Sequence, residues 1–220
     1  MGVNPFRIVI RSNIYDMKKN TILTLLILTV SVCAKAQEIQ TVFKPGRSGG
    51  FGAITNKFTT INGKYANMAG VFGGWYVNSK FLIGVEAEAV TNDLPVLPQH
   101  STAPGVDMSY AYAQFGLATE YVMWSDKIFH VGMHVFTGAG FTGQYERAFD
   151  SDHNHGSSEL DENFFTVVEP GVFMELNLMK WMRFSPGVSY RAAFGSDAAG
   201  VSDNSLSNMS YNLTLKFGKF

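Results

Sequence analysis

The final stretch of the chain, Met209 to Phe220, alternates apolar and polar side chains and ends on an aromatic residue. Successive side chains of a β-strand point to opposite faces, so this alternation predicts a strand with one apolar and one polar face. A terminal strand of this kind is typical of a closed barrel in lipid, which is apolar outside and polar inside. The apolar face carries Tyr211, Leu213, Leu215 and Phe217, and the polar face carries Ser210, Asn212, Thr214 and Lys216.

The beginning of the chain predicts export. Lys18 and Lys19 precede an apolar run over residues 21–32, and Ala34-Lys35-Ala36 forms an A-x-A exit. This order is typical of a cleaved signal peptide at 17–36, preceded by an upstream extension at 1–16. The domain at 37–220 would then have 220 − 36 = 184 residues and no cysteine, because Cys33 leaves with the signal. Val32 fits poorly before a lipoprotein cysteine.

Composition excludes two classes of protein. The chain has no run of 18 apolar residues, so the sequence predicts no helical membrane span. A formal net charge of −1 offers no basis for nucleic-acid binding.

Alternation and turn residues predict eight strands, in which tight connections alternate with long ones. An even number of strands puts both termini at the tight-turn side, as in outer-membrane barrels. The fold class expected is all-β, an eight-stranded antiparallel transmembrane up-and-down β-barrel in the outer membrane of a Gram-negative bacterium. The competing class, a soluble periplasmic barrel resembling a lipocalin, would carry polar residues on its outward faces. The predicted strands are approximately 48–60, 64–77, 80–91, 108–123, 127–146, 163–178, 181–194 and 208–219.

Two local features refine this barrel. Trp75, Trp124 and Trp181 each lie within a few residues of a tight turn, which predicts an aromatic girdle at one membrane interface. Pro170-Gly171 and Pro186-Gly187 interrupt the sixth and seventh strands, and we expect each to mark a bulge or bend.

The polar faces converge on the predicted interior and form a charged network. Because eight strands leave a lumen just wide enough for side chains, we interpret this set as a buried polar network that fills the barrel. A proton or ion path, or a catalytic carboxylate–histidine pair, is the alternative interpretation. The lumenal set is Lys57, Glu86, Glu88, Glu120, His130, Glu169, Glu175, Arg183, Arg191 and Lys216, with His134 nearby.

Counting residues across the tight turns predicts pairs within this set. Glu175 is expected opposite Arg183, Glu169 diagonal to Arg191, and Glu120 opposite or diagonal to His130. His130 and His134 would lie about 13 Å apart along one strand, too far to chelate one metal. The spacing matches no catalytic triad, and no cofactor is expected.

The third long loop suggests a weak metal site. Asp150, Asp152, Asn154 and Asp161 match four oxygen-ligand positions of a calcium loop, although Gly156 comes one position late. His153 and His155 could instead recruit a transition metal. The alternative interpretation is a solvated acidic surface loop.

Three segments carry a family resemblance: Phe72 to Gly84, Val168 to Leu178 with its Glu-Pro-Gly element, and the closing Leu215 to Phe220. They resemble a family of small, uncharacterised outer-membrane β-barrel proteins of Bacteroidetes, over nearly all of the domain. The resemblance implies fold and location, and it brings no catalytic motif.

The function predicted is therefore non-enzymatic: a barrel with a plugged polar lumen, serving envelope integrity or surface contact through its outer loops. The alternatives are a lipid-modifying or proteolytic outer-membrane enzyme, or a small porin. The partners expected are outer-membrane lipid, the barrel-assembly machinery during insertion, and a weakly bound divalent cation at the third long loop.

Overall fold

The structure, a computed structural model, describes residues 48–147 and 162–220. The predicted upstream extension, signal peptide and metal-binding loop residues Asp150, Asp152, Asn154 and Asp161 lie outside the described residues and stay predictions. A short 3₁₀ turn spans Pro98–His100 and a single helical turn, α1, spans Asp203–Leu206. The strands are β1 Gly49–Ile61, β2 Lys64–Val77, β3 Phe81–Val90, β4 Met108–Met123, β5 Phe129–Glu146, β6 Asn163–Met179, β7 Met182–Phe194 and β8 Asn208–Gly218.

These strands close into one barrel. Each strand pairs antiparallel with the next in the chain, and β1 pairs antiparallel with β8, so the sheet has no edge. The predicted fold class is confirmed, and the predicted bounds agree with the strands to within two residues. In the part of the chain that is described, no helix is long and apolar enough to cross a membrane.

The two faces of the barrel differ in polarity. Along β8, Tyr211 and Leu213 are exposed on the outside, whereas Ser210 and Lys216 are buried inside. The same division runs along β3, where Val85 is 64 % exposed and Glu86 is 6 % exposed. An apolar outer wall around a polar interior is stable in lipid and unfavourable in water, so the outward faces match the membrane barrel and not the soluble one.

The two ends of the barrel also differ. The connections at 78–80, 124–128 and 180–181 are short, and we call this the tight-turn end. The connections at 91–107, 147–162 and 195–207 are long, and with the Asn62-Gly63 turn they form the long-loop end. Asn62 and Gly63 both have positive φ, of 50° and 72°, as a two-residue hairpin turn of type I′ requires.

A bulge or a bend is expected at each of the two prolines, and the bulge is absent at both. The β6–β7 register continues without a shift past both Pro170 and Pro186, and its only shift lies between Asn177 and Met179. What the prolines change is the ladder: β6 and β7 are not paired directly beside either proline. Because proline has no N–H, the hydrogen-bond ladder is interrupted there while the alternation of faces is retained.

Inward glycines make room for large lumenal rings. A Cβ at Gly132 would overlap the Phe173 ring, and one at Gly140 would overlap the Phe165 ring. Glycine at these positions therefore leaves room for two aromatic rings of β6 to lie against the inner face of β5.

The lumen is filled by buried charged side chains and by two apolar clusters, one at the long-loop end and one toward the tight-turn end. The long-loop plug consists of Ile61, Ala66, Met68, Leu94, Tyr110, Tyr112, Phe136, Phe165, Val167, Ala193, Val201 and Leu206. The tight-turn plug consists of Phe51, Ala53, Phe72, Tyr76, Leu82, Ala118, Val122 and Phe173, with Phe220 packed against it.

Candidate functional site

All ten residues predicted for the lumenal network lie inside the barrel, and none is more than 6 % exposed. Seven of the eight strands contribute, because each inward position of a strand adds one side chain to the interior. We call the set, together with His134, the charged belt: Lys57, Glu86, Glu88, Glu120, His130, His134, Glu169, Glu175, Arg183, Arg191 and Lys216.

The first group of the belt is centred on Lys57 of β1. Its Nζ lies 2.6 Å from Glu88 Oε2 and 2.7 Å from Glu169 Oε1. The Gln114 amide donates to both carboxylates, at 2.9 and 3.1 Å. The Ser189 hydroxyl donates to Glu169 at 2.6 Å. One buried ammonium therefore joins carboxylates from β3 and β6, which are not neighbouring strands.

The second group is centred on Glu175 of β6. Its Oε1 accepts from Arg183 and lies 2.7 Å from both Arg183 Nη1 and His130 Nε2. Its Oε2 lies 2.7 Å from Ser185 Oγ and 2.8 Å from Lys216 Nζ. Four partners around one carboxylate satisfy its lone pairs, which a buried charge requires.

Lys216 and His134 join the two groups into one network. Lys216 Nζ also lies 2.8 Å from Glu120 Oε2, which accepts a 2.7 Å hydrogen bond from the Tyr76 hydroxyl. His134 places its two ring nitrogens 3.1 Å from Glu86 and 3.4 Å from Glu120. An imidazolium, which carries an N–H on each nitrogen, can donate to both carboxylates.

The charges of the belt nearly balance. Lys57, Arg183, Arg191 and Lys216 supply four cations, and the carboxylates supply five anions, a difference of 5 − 4 = 1. A cationic His134 between two of the carboxylates would remove that difference. The five carboxylates are Glu86, Glu88, Glu120, Glu169 and Glu175.

Of the three predicted pairs, one is wrong and the other two differ from the prediction only in register. Glu120 faces His134 across β4 and β5, whereas His130 faces Glu175 across β5 and β6. The prediction centred the β4–β5 turn near Ser125, whereas Met123 faces Val131 and the register is centred on Lys127, which moves the partner of Glu120 by four residues. A second pair, Glu175 with Arg183, is present, although the register sets the two residues diagonally.

Arg191, predicted diagonal to Glu169, stands opposite it in the β6–β7 register, and its guanidinium binds backbone carbonyls. Its guanidinium donates to Leu206 O at 2.8 Å and Thr60 O at 3.2 Å, and it lies 4.9 Å from the centre of the Tyr112 ring. Lys57 and Ser189 bind Glu169. Through its hydrogen bond to Leu206 O, the Arg191 guanidinium holds the loop at 195–207 from inside the barrel.

That loop is folded over the long-loop end. Asn62 donates its backbone N–H to Ser205 O at 2.8 Å and its side-chain amide to Gly200 O at 3.0 Å. Asp203 accepts from the backbone N–H groups of Ser196 and Gly195, and these hydrogen bonds hold the pKa of Asp203 below its ordinary value. The loop therefore has its own hydrogen-bonded structure and closes the barrel above Leu206.

Residues that sequence reasoning did not include complete the network. Tyr76, Gln114, Ser185 and Ser189 donate to its carboxylates, as described above. Each lies at an inward position of its strand, so alternation alone could have found them. Phe220 was not predicted inside; its ring packs 3.9 Å from the Arg183 guanidinium carbon, and no local pattern indicates this.

The arrangement leaves little room for chemistry. The cavity within the belt measures about 40 Å³, enough for a few water molecules at most. Among residues 48–147 and 162–220, no group of three or more His, Cys, Asp or Glu side chains could hold a metal ion. The carboxylate–histidine pairs are buried toward the tight-turn end, where Glu120, His130 and Glu175 are 4, 1 and 0 % exposed and far from the long loops.

An apolar outer wall, a closed antiparallel sheet and a polar interior together define the class: this chain is an outer-membrane β-barrel protein. Neisserial surface protein A, from Neisseria, has a similar fold, with a TM-score of 0.51 at 8 % identity over 79 % of this chain and 97 % of that one.

A major outer membrane protein of Thermus thermophilus is similar to the same degree, with a TM-score of 0.51 at 9 % identity over 78 % of this chain and 98 % of that one. At such identities the likeness shows the fold alone. No protein-family model and no curated protein sequence matches the chain.

Proposed function

We propose that this chain is a non-enzymatic outer-membrane barrel whose sealed lumen leaves the long loops as its working surface, in envelope integrity or surface contact. The observation that carries the proposal is the packed lumen. Charged side chains with matched partners and two apolar clusters fill it, and the cavity left among them measures about 40 Å³.

The buried ion pairs of the belt are unfavourable for the passage of ions, so they argue against a porin function. Lys57 and Lys216 each bind two carboxylates at 2.8 Å or less, so a passing ion would have to break several buried ion pairs. The folded loop at 195–207 adds a second barrier, because Leu206 and Val201 belong to the long-loop plug.

The same geometry favours a non-enzymatic role over a lipid-modifying or proteolytic one. Such an enzyme needs its acid and base within hydrogen-bond reach of the substrate. Here the candidate pairs, His130 with Glu175 and His134 with Glu120, are buried toward the tight-turn end, away from the long loops.

Conductance in planar lipid bilayers tests the sealed lumen. We expect no steady conductance from the folded wild-type protein, and none from the control variant Asn204→Ala, whose side chain is exposed. Steady channels of nanosiemens size from either protein would overturn the proposal and favour a porin.

Cells that lack the protein test the role itself. We expect deletion to weaken the envelope against detergent or to reduce surface contact, with lipid A and surface proteins chemically unchanged. Complementation with a protein carrying a shortened 93–106 connection should fail, whereas Asn204→Ala, at an exposed position, should complement. A defined chemical difference in lipid A, restored by wild type and not by a Glu120→Gln protein that is folded in the membrane, would favour the enzyme.

Two further proposals concern partners and relatives. The alternating terminal strand supports recognition by the barrel-assembly machinery during insertion, and the apolar wall supports contact with outer-membrane lipid. The similarity to Bacteroidetes barrels stays a prediction.

A further inference from the structure

The tight-turn end of the barrel carries four exposed lysines. Lys80, Lys127 and Lys180 each lie in a different tight turn, and Lys219 follows the end of β8. All four side chains are exposed, and none forms an ion pair with residues 48–147 or 162–220. Because the three turns are spread around the barrel, the charges form a ring and not a single patch.

Few acidic groups oppose these lysines. Among the described side chains at this end, Asp126 is the exposed carboxylate, and Glu120 and Glu175 are buried in the belt. The long-loop end has the opposite balance, with Lys64 and Arg147 outnumbered by carboxylates. Those carboxylates are Asp93, Asp107, Glu146, Glu162, Asp197 and Asp203.

Tryptophans fix the level of these lysines relative to the membrane. Trp75, Trp124 and Trp181 are 57, 63 and 53 % exposed, and each lies beside one of the tight turns. Indole rings favour the interface between hydrocarbon and headgroups. The lysines therefore lie at the level where lipid phosphates are found, with stems long enough to reach them.

One of these tryptophans occupies a costly backbone conformation. Trp124 has φ of 55°, in the left-handed region that bulky residues rarely adopt. Asn78 and Ser79 have the same positive φ in the β2–β3 turn, so this conformation belongs to the tight turns, and at Trp124 the turn carries an exposed indole ring.

We propose that this lysine–tryptophan collar, Lys80, Lys127, Lys180 and Lys219 with Trp75, Trp124 and Trp181, binds anionic phospholipid headgroups in the leaflet at the tight-turn end. An ammonium group on a flexible stem suits a phosphate as a point charge. Unpaired lysines at this level attract anionic lipid more strongly than zwitterionic lipid, and salt screens the attraction.

The collar supplies its own probe. The chain has three tryptophans, and all of them belong to the collar. The folded protein is placed in phosphatidylcholine vesicles with phosphatidylglycerol, and bromine is attached to the acyl chains of one lipid at a time. Because bromine quenches tryptophan at short range, quenching reports which lipid surrounds the collar.

We expect brominated phosphatidylglycerol to quench more than its mole fraction predicts, corresponding to a preference of about twofold or more over phosphatidylcholine. Lys80→Gln/Lys127→Gln/Lys180→Gln/Lys219→Gln should abolish the preference. The charge-conserving Lys80→Arg/Lys127→Arg/Lys180→Arg/Lys219→Arg variant should retain it, and so should Lys64→Gln at the other end. Equal quenching by the two lipids with wild-type protein would overturn the proposal.

A salt titration of the wild-type protein gives a second test that needs no variant. We expect the preference to fall toward one as sodium chloride is raised, because the Debye length shortens from about 10 Å at 0.1 M to about 3 Å at 1 M. A preference that resists salt, or that persists in the glutamine variant, would show that the lysines do not carry it.

Discussion

At the scale of the residue, the barrel depends on how each buried charge is neutralised. The Glu175 carboxylate has four partners, which share its stabilisation: Arg183, His130, Lys216 and Ser185. Removing one partner of a buried ion pair is nevertheless destabilising, because it leaves the other charge desolvated with less compensation.

Arg183→Ala should therefore lower the free energy of unfolding by about 3 kcal/mol. The variant also loses the stacking of the guanidinium on Phe220. Ser185→Ala is the matched control, since it removes one neutral donor from the same carboxylate and should cost about 1 kcal/mol. Urea unfolding in detergent micelles measures both. Equal losses for the two variants would contradict a charge-based role for Arg183.

At the scale of the element, the connection at 195–207 acts as a fixed cover. Its single helical turn, α1, begins after Ser202, whose side chain accepts from the Ser205 N–H, and it places Leu206 in the long-loop plug. Arg191 binds the Leu206 carbonyl from below. The N-cap, the burial of Leu206 and the hydrogen bond from Arg191 therefore all stabilise the single turn of α1.

Leu206→Ala should destabilise the barrel by about 3 kcal/mol, because it removes a fully buried side chain and leaves a cavity in the plug. Asn204→Ala lies two residues away in α1, is exposed, and should change the stability by less than about 0.5 kcal/mol. Thermal unfolding of both variants compares them directly. A Leu206→Ala protein as stable as wild type would mean that the cover contributes no packing energy.

At the scale of the whole molecule, closure of the sheet explains the lasting integrity expected of a membrane barrel. Every strand has two neighbours, so no backbone edge is left unpaired in lipid. Such a barrel should resist detergent until it is heated. Unboiled and boiled membrane fractions should therefore migrate differently on a detergent gel, and a soluble band without a heat-dependent shift would contradict the membrane barrel.

The sequence alone predicted the eight strands, their faces and the ends at which the turns and long loops lie. This succeeded because the side-chain period of a strand is two whatever its partners are, and because an apolar wall in lipid must be continuous. The ten lumenal residues followed from the same alternation. The bulge considered at each proline is absent, because a missing N–H interrupts the hydrogen-bond ladder without shifting the register.

Which charges meet was decided only by the tertiary structure. Lys57 of β1 reaches Glu88 of β3 and Glu169 of β6, and Lys216 of β8 reaches Glu120 of β4. These pairs cross the lumen between strands that are not neighbours, so they depend on the stagger and tilt of the closed sheet. Local alternation determines that a side chain points inward, but the level at which it meets its partner is set when the barrel closes.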